Sequence, residues 1–271
     1  MTYDNILYEE KEKIGLLTLN RPEKRNALSV DLLREFSSCL RKAEKEKNAH
    51  VIIVKGAGPA FCAGHDMKEI LDNELNDIRH LFQTCLDLMI LIHSIPQPVI
   101  AQVHGIATAA GCQLVAACDL VIAEEGAQFA TPGVKIGLFC TTPMVALSRA
   151  VGRKKALEMV LTGNFISAQE AMAHGLVNRV VSEQGLEGET WKFAKEIAQY
   201  SLVTVGLGKQ AFYQQIEMGE KQAYQYGKEV ISANAVMADA VEGMSAFFEK
   251  RTPVWKEKSL SKVSYLTLTE S

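Results

Sequence analysis

Two short segments of the 271-residue chain place small residues where a strand gives way to a helix: Ala63-Gly64-His65-Asp66 and Ala109-Ala110-Gly111-Cys112. The first N–H groups of a helix have no intrahelical acceptor, and the peptide dipoles leave partial positive charge there. Such a turn therefore favours an anionic or polarised oxygen. Two turns of this kind brought together supply two N–H donors to one oxygen, the arrangement that stabilises an oxyanion in acyl chemistry. Taken singly, each turn carries little weight, since most glycine turns between strands and helices serve only the backbone.

The elements that must position these turns follow from periodicity. Apolar Ile6–Tyr8 and Ile14–Leu19 surround a charged Glu9–Lys13 turn and predict a β-hairpin. Ser29 is placed to cap a helix to about Asn48, with Leu32, Leu33, Phe36 and Leu40 on one face. A strand is expected over His50–Lys55, a helical region ending in Leu75–Ser94, and a buried strand over Val99–Val103. Then come a small-residue turn over Gly105–Ala110, a helix over Gly111–Cys118 and a strand over Leu120–Ala123. Strand, glycine-rich turn and helix thus recur, as in a repeated ββα unit. Downstream, Thr142 can cap a helix begun by Pro143, and Ser167-Ala168-Gln169-Glu170 has the form of a capping box. Val177–Val181 predicts a last strand, and helical patterns alone run from Glu189 to Glu249. This predicts an α/β core over residues 1–200 and an all-helical region over 201–271 that caps the core or forms a subunit interface.

Composition narrows the function. A net charge of −3 gives no basic field for nucleic acid or an anionic membrane. The most apolar stretch, Leu86 to Ala123, is interrupted by His93, Pro96, Gln97, Pro98 and Asp119, so it predicts buried core rather than a bilayer span. Residues 1–20 mix Asp4, Glu9, Glu10, Lys11, Glu12 and Lys13 with apolar residues, unlike a signal peptide, which leads us to expect a cytoplasmic protein. Six scattered cysteines show no zinc-ligand spacing and are expected to be small buried hydrophobes; no metal is expected.

Several motifs in one order add to this. They are Arg21-Pro22-x-x-x-Asn26-Ala27-Leu28, Phe61-x-Ala63-Gly64-x-Asp66-x-Lys68-Glu69, Pro98-Val99-Ile100-Ala101, and Gly111-Cys112-x-Leu114 with Cys118-Asp119. Leu161-Thr162-Gly163-x-x-Ile166-Ser167-Ala168-Gln169-Glu170-Ala171, Gly175-Leu176-Val177 and Glu242-Gly243-Met244-x-Ala246-Phe247 continue the series. In order and spacing the chain resembles the crotonase superfamily of enoyl-CoA hydratases and isomerases from about Ile6 to Lys256. Ala107–Ala116 and Phe129–Val134 carry a closer match to a single branch of it.

The resemblance implies a spiral of ββα repeats with a helical C-terminal region, assembly into homotrimers or homohexamers, and an acyl-CoA thioester as ligand. Coenzyme A then belongs to the substrate, and no separate cofactor is expected. By position, the oxyanion donors are the backbone N–H groups of His65 and Ala110, within turns formed by Ala63, Gly64, Asp66 and Gly111. Lys24, Arg25 and Lys250 are candidates for phosphate contacts, although each is at least as well explained as solvated surface charge.

Hydratases of this family hold and deprotonate water with two glutamates, and both are missing. Gln113 follows the second oxyanion glycine, and Gly133 follows Gln128-Phe129-Ala130-Thr131-Pro132 where the second glutamate belongs. Glutamine holds water but cannot take its proton near neutral pH, and glycine offers no side chain. Each lost acid–base group costs roughly 10²–10⁴-fold, so ordinary hydration should be very weak. Replacing both Gln113 and Gly133 by glutamate is expected to raise hydration if the pocket keeps the family geometry. Gly137-Leu138-Phe139-Cys140-Thr141-Thr142-Pro143 also departs from the family pattern, leaving Cys140 and Thr141 as further pocket candidates. Two function classes stay open: an acyl-CoA enzyme whose reaction needs no strong base, such as decarboxylation of a malonyl-type thioester or thioester hydrolysis, and a non-catalytic acyl-CoA-binding protein.

Overall fold

The chain opens on a hairpin of β1 (Ile6–Lys11) and β2 (Ile14–Leu19). The computed structural model describes residues 3–256. Strand β1 runs three residues beyond the expected Tyr8, because an edge strand can carry Glu9, Glu10 and Lys11 towards solvent. Glu12 and Lys13 alone make the turn, both at positive φ (52° and 64°), as a two-residue hairpin loop requires.

Helix α1 (Val30–Glu46) begins where expected, the Leu32 N–H donating to the Ser29 Oγ at 3.3 Å. Then follow β3 (Val51–Gly56), α2 (Lys68–Leu71), α3 (Leu75–Ser94), β4 (Val99–Val103), β5 (Ile106–Thr108), α4 (Ala110–Ala117), β6 (Leu120–Glu124) and β7 (Gln128–Ala130). The chain continues through α5 (Thr141–Ala150), α6 (Arg153–Thr162), β8 (Ile166–Ser167), α7 (Ala168–Ala173), β9 (Arg179–Val181) and α8 (Leu186–Ala198).

A six-stranded sheet has the order β1-β2-β3-β4-β6-β9 and is parallel apart from the β1–β2 pair. A three-stranded sheet has the order β5-β7-β8, and Cys62 bridges to Ala107 beside it. Each pass of the chain thus gives one strand to the large sheet, an extended segment to the small one and then a helix. Gly56 to Cys62, β4 to β5 and β6 to β7 all follow that course, which is the ββα spiral.

Parallel strands covered on both faces read as continuous apolar runs. One face of the large sheet presents Leu17, Leu19, Ile52, Val54, Val99, Ala101 and Val121 to a core shared with Leu33 and Phe36 of α1, Leu88 of α3 and Leu114 of α4. The other face presents Ile14, Val51, Ile53, Ile100 and Ile122 to Leu186, Ala194 and Ala198 of α8. Burying each large aliphatic side chain contributes about 1.5–3 kcal/mol, so these two layers fix where the strand ends, and the turns beyond them, must lie.

Three expectations need correction. The segment expected as a small-residue turn over Gly105–Ala110 contains β5, which pairs in parallel register with β7. Thr142 does not cap α5; the helix starts two residues earlier, at Thr141, with Cys140 in the capping position. Ser167 caps α7 by accepting from the Glu170 N–H at 3.1 Å, but the Glu170 carboxylate completes no box. It accepts instead from Lys155 Nζ of α6 at 2.5 Å.

The chain divides into two units, residues 1–198 and 199–271. The second contains α9 (Leu202–Gln215), α10 (Glu220–Ala235) and α11 (Ala238–Glu249). Ser201 caps α9 by accepting from the Thr204 N–H, while its own hydroxyl donates to Asp239 of α11. Residues 257–271, the end of the expected helical region, lie outside the described residues.

Candidate active site

The first turn is built by strand-like pairing outside the named strands. The Leu28 N–H donates to the Gly64 carbonyl at 2.7 Å and the Asp66 N–H to the Leu28 carbonyl at 3.0 Å, so His65 and Leu28 form a parallel bridge. In such a bridge successive N–H groups point to opposite sides. With Asp66 N–H turned towards Leu28, the His65 N–H points away from it and meets no backbone acceptor among the described residues.

The second turn follows β5. The Ala109 N–H donates to the Ala130 carbonyl at 2.9 Å, and α4 begins at Ala110. Ala110 is the first helical residue, so its N–H has no carbonyl four residues back. Ala109 adopts φ 50° and ψ −118°, a conformation that costs an alanine about 1–3 kcal/mol. No feature of the sequence marks that strain, because alanine is an ordinary residue before a helix.

Gly64, at φ 101°, brings the two turns together. A Cβ there would lie 2.9 Å from the Ala109 Cβ, 3.0 Å from the Thr108 carbonyl oxygen and 3.3 Å from the Ala110 nitrogen. Gly111 is equally constrained, since a Cβ would meet the Cys62 carbonyl oxygen at 2.2 Å. Thr108 Oγ1 also donates to the Ala63 carbonyl at 3.0 Å. The structure thus assembles Ala63, Gly64, His65, Ala110 and Gly111 in one place.

Asp66 is a structural anchor. Its carboxylate accepts from Arg21 Nη2 at 2.9 Å, from Lys24 Nζ at 3.3 Å and from the Lys68 N–H at 3.2 Å. Burial pushes its pKa up, but these donors outweigh burial and hold it below the usual carboxylate range. A carboxylate so engaged is a poor proton acceptor. Lys24 is half exposed beside Asp66, and Arg25 is exposed on the same loop, joined to the first turn where the Ala63 N–H donates to the Arg25 carbonyl. Lys250 belongs to the second unit, where it ends α11 at φ 55°.

Gln113 sits one turn into α4, its N–H donating to the Ala109 carbonyl. Its side chain is buried and Oε1 has no hydrogen-bond partner. Thr131 Oγ1 and His65 Nε2 share that condition, and neither was singled out by its sequence context as an unpaired group. The His65 ring meets Phe82 of α3 edge-on, centroids 4.9 Å apart, and burial lowers its pKa to about 4, leaving it neutral at pH 7.

Gly133 lies in a 3-10 turn, Pro132–Ile136, closed by the Leu138 N–H donating to the Gly133 carbonyl at 2.9 Å. A Cβ on Gly133 would stand 2.0 Å from the Leu138 carbonyl oxygen and 2.8 Å from Cys140 Sγ. A side chain at 133 requires the Leu138 backbone and the Cys140 side chain to move, which weighs against the condition, retained family geometry, on which the expected gain in hydration from glutamate at 113 and 133 rests. Cys140 is buried against this turn and Thr141 is exposed. Burial raises the Cys140 pKa and pushes Cys112 up to about 12, so both are thiols rather than nucleophilic thiolates near neutral pH.

Among the described residues no group of three or more histidine, cysteine or acidic side chains could hold a metal ion, and no helix is long and apolar enough to cross a membrane.

The profile of the enoyl-CoA hydratase/isomerase family matches residues 9–258. The chain belongs to that family. It is 46% identical over 247 residues to the mouse mitochondrial enoyl-CoA hydratase domain-containing protein 3, covering 91% of this chain and 82% of the mouse protein. The crystal structure of the human domain-containing protein 3 superposes with a TM-score of 0.91 at 44% identity, covering 93% of this chain and all of that one. A Mycobacterium smegmatis enoyl-CoA hydratase gives 0.90 at 44% identity, over 93% of this chain and 99% of that one. These relatives include the branch that Ala107–Ala116 and Phe129–Val134 resemble.

Proposed function

We propose that this protein binds an acyl-CoA thioester and polarises its carbonyl between the N–H groups of His65 and Ala110, without the proton-transfer groups of a hydratase. The observation that carries this is the close approach of Gly64 to Ala109 and Ala110, with no backbone acceptor for the His65 or Ala110 N–H among the described residues. One such donor is worth about 3 kcal/mol of oxyanion stabilisation. Lys24 and Arg25, on the loop joined to the first turn, are the proposed phosphate contacts within the first unit.

The packing around Gly133 favours chemistry that needs no strong base. Decarboxylation of a malonyl-type thioester expels CO2 and leaves an enolate that the oxyanion donors hold until water protonates it, and thioester hydrolysis adds a water to the polarised carbonyl; Gln113 Oε1 and Thr131 Oγ1, enclosed and without partners, are the proposed contacts for that water. A non-catalytic acyl-CoA-binding protein is the second reading, favoured by the same lost carboxylates.

Assembly into a trimer or hexamer is part of the proposal. The second unit exposes large apolar residues, Phe247 and Phe248 at 77% and 80% among them, that association would cover. Cell fractionation decides between the cytoplasm, expected from the sequence, and the mitochondrion, where the mouse relative's name places that protein.

Calorimetry with acetyl-CoA, crotonyl-CoA and a long-chain acyl-CoA tests the binding claim. Dissociation constants on the order of micromolar are expected. A folded sample that gives no heat with any of the three overturns it.

A further inference from the structure

The His65 side chain has no part in the chemistry proposed above, yet it is placed to take one. Its Nε2 is enclosed and has no hydrogen-bond partner. Such an atom costs about 1–3 kcal/mol when left unpaired, and in a native structure it marks a bond that another group completes. The ring is held by a T-shaped contact with Phe82, which fixes its place beside α3. The same residue supplies the backbone N–H assigned to the thioester oxygen. Nε2 therefore lies within one side chain's length of that donor, a span that corresponds to the first few acyl carbons.

The chemistry of the partner follows from charge. Burial alone sets the ring's titration, with no ion pair contributing, so the imidazole is neutral under physiological conditions. A carboxylate brought to it would lose hydration and gain no cation, whereas a neutral oxygen would gain a hydrogen bond to one tautomer or the other.

We propose that His65 is a specificity-determining residue whose Nε2 hydrogen-bonds a hydroxyl or oxo oxygen on the acyl group, so that the site prefers oxygenated acyl chains to saturated ones. This rests on the acyl-CoA reading of the site. A site built to hydrogen-bond a substrate oxygen discriminates against the analogue lacking it, because its own polar atom is then left buried and unpaired.

The test is calorimetric titration of the full chain with butyryl-CoA and 3-hydroxybutyryl-CoA. The hydroxylated ligand is expected to bind about tenfold tighter, equivalent to about 1.4 kcal/mol. His65→Phe keeps an aromatic ring against Phe82 without the nitrogen and should bring the ratio to about one; His65→Gln, which restores a hydrogen-bonding group, should recover part of it. A wild-type ratio of one overturns the proposal and needs no variant to fold. So does a preference that survives in His65→Phe. If the wild-type protein binds neither thioester, the acyl-CoA reading fails and this proposal fails with it; equal binding of both removes this proposal alone.

Discussion

The Ala110 nitrogen lies 3.3 Å from the point at which a side chain on Gly64 would begin. That approach joins two turns that each follow a segment of the small-sheet layer, Cys62 beside β5 and β5 itself. Ala107, Phe129 and Ile166 of the small sheet share one core with Leu17, Ile52 and Val99 of the large sheet, so the convergence of the two turns is a consequence of the spiral, and Gly64 is the residue that permits it.

Gly64→Ala should therefore destabilise the protein and weaken acyl-CoA binding together. Its φ of 101° is strained for alanine, and the Ala109 Cβ at 2.9 Å leaves no room. We expect a loss of about 2 kcal/mol or more in urea unfolding, with at least a tenfold weaker dissociation constant in the folded fraction. Wild-type stability and affinity in the variant would show that the turns do not constrain each other.

Hydration of crotonyl-CoA by the wild-type chain should be at least about 10³-fold below that of a two-glutamate site. Gln113→Glu with Gly133→Glu should not rescue it, and Gly133→Ala alone should cost about 2–3 kcal/mol of stability, because the Leu138 carbonyl occupies the place of a Cβ. A stopped assay of the double variant alongside urea unfolding of Gly133→Ala checks both. Fast hydration by the unmodified protein would mean that Gln113 or another group performs the proton transfer assigned here to none.

Stability should fall on acidification through His65. The folded-state pKa, about 4, lies below the ordinary histidine value of about 6.5. The unfolded chain therefore takes up the proton first, and the native advantage is complete above pH 6.5 and lost as pH falls from 6.5 to 4. Between pH 7 and pH 5 this amounts to on the order of 2 kcal/mol. Urea midpoints at the two pH values should converge more in His65→Phe than in wild type; identical slopes would place the titration elsewhere.

The sequence made the scaffold legible wherever burial is periodic. Val51–Val54 and Val99–Val103 read as buried strands because both their faces are covered, and Ser29 announces α1 because a cap acts locally. The segment β5 escaped because Ile106–Thr108 is three residues long, and its pairing with Gln128–Ala130 is non-local. At the candidate site, the two glycine turns could be named from small residues and motif order, and the departure from the two-glutamate pattern from Gln113 and Gly133. The strain at Ala109, the closed turn around Gly133 and the unpaired His65 nitrogen could not, since each depends on atoms distant in sequence.

If two backbone N–H groups hold a thioester carbonyl, as proposed, the infrared spectrum of bound crotonyl-CoA carrying ¹³C at the carbonyl must register it. Hydrogen bonds from His65 and Ala110 draw electron density onto the oxygen and weaken the C=O bond. The isotope-edited carbonyl band should move to lower frequency on binding, and move less far in Gly64→Ala. A bound ligand whose carbonyl band stays at its solution frequency would contradict it.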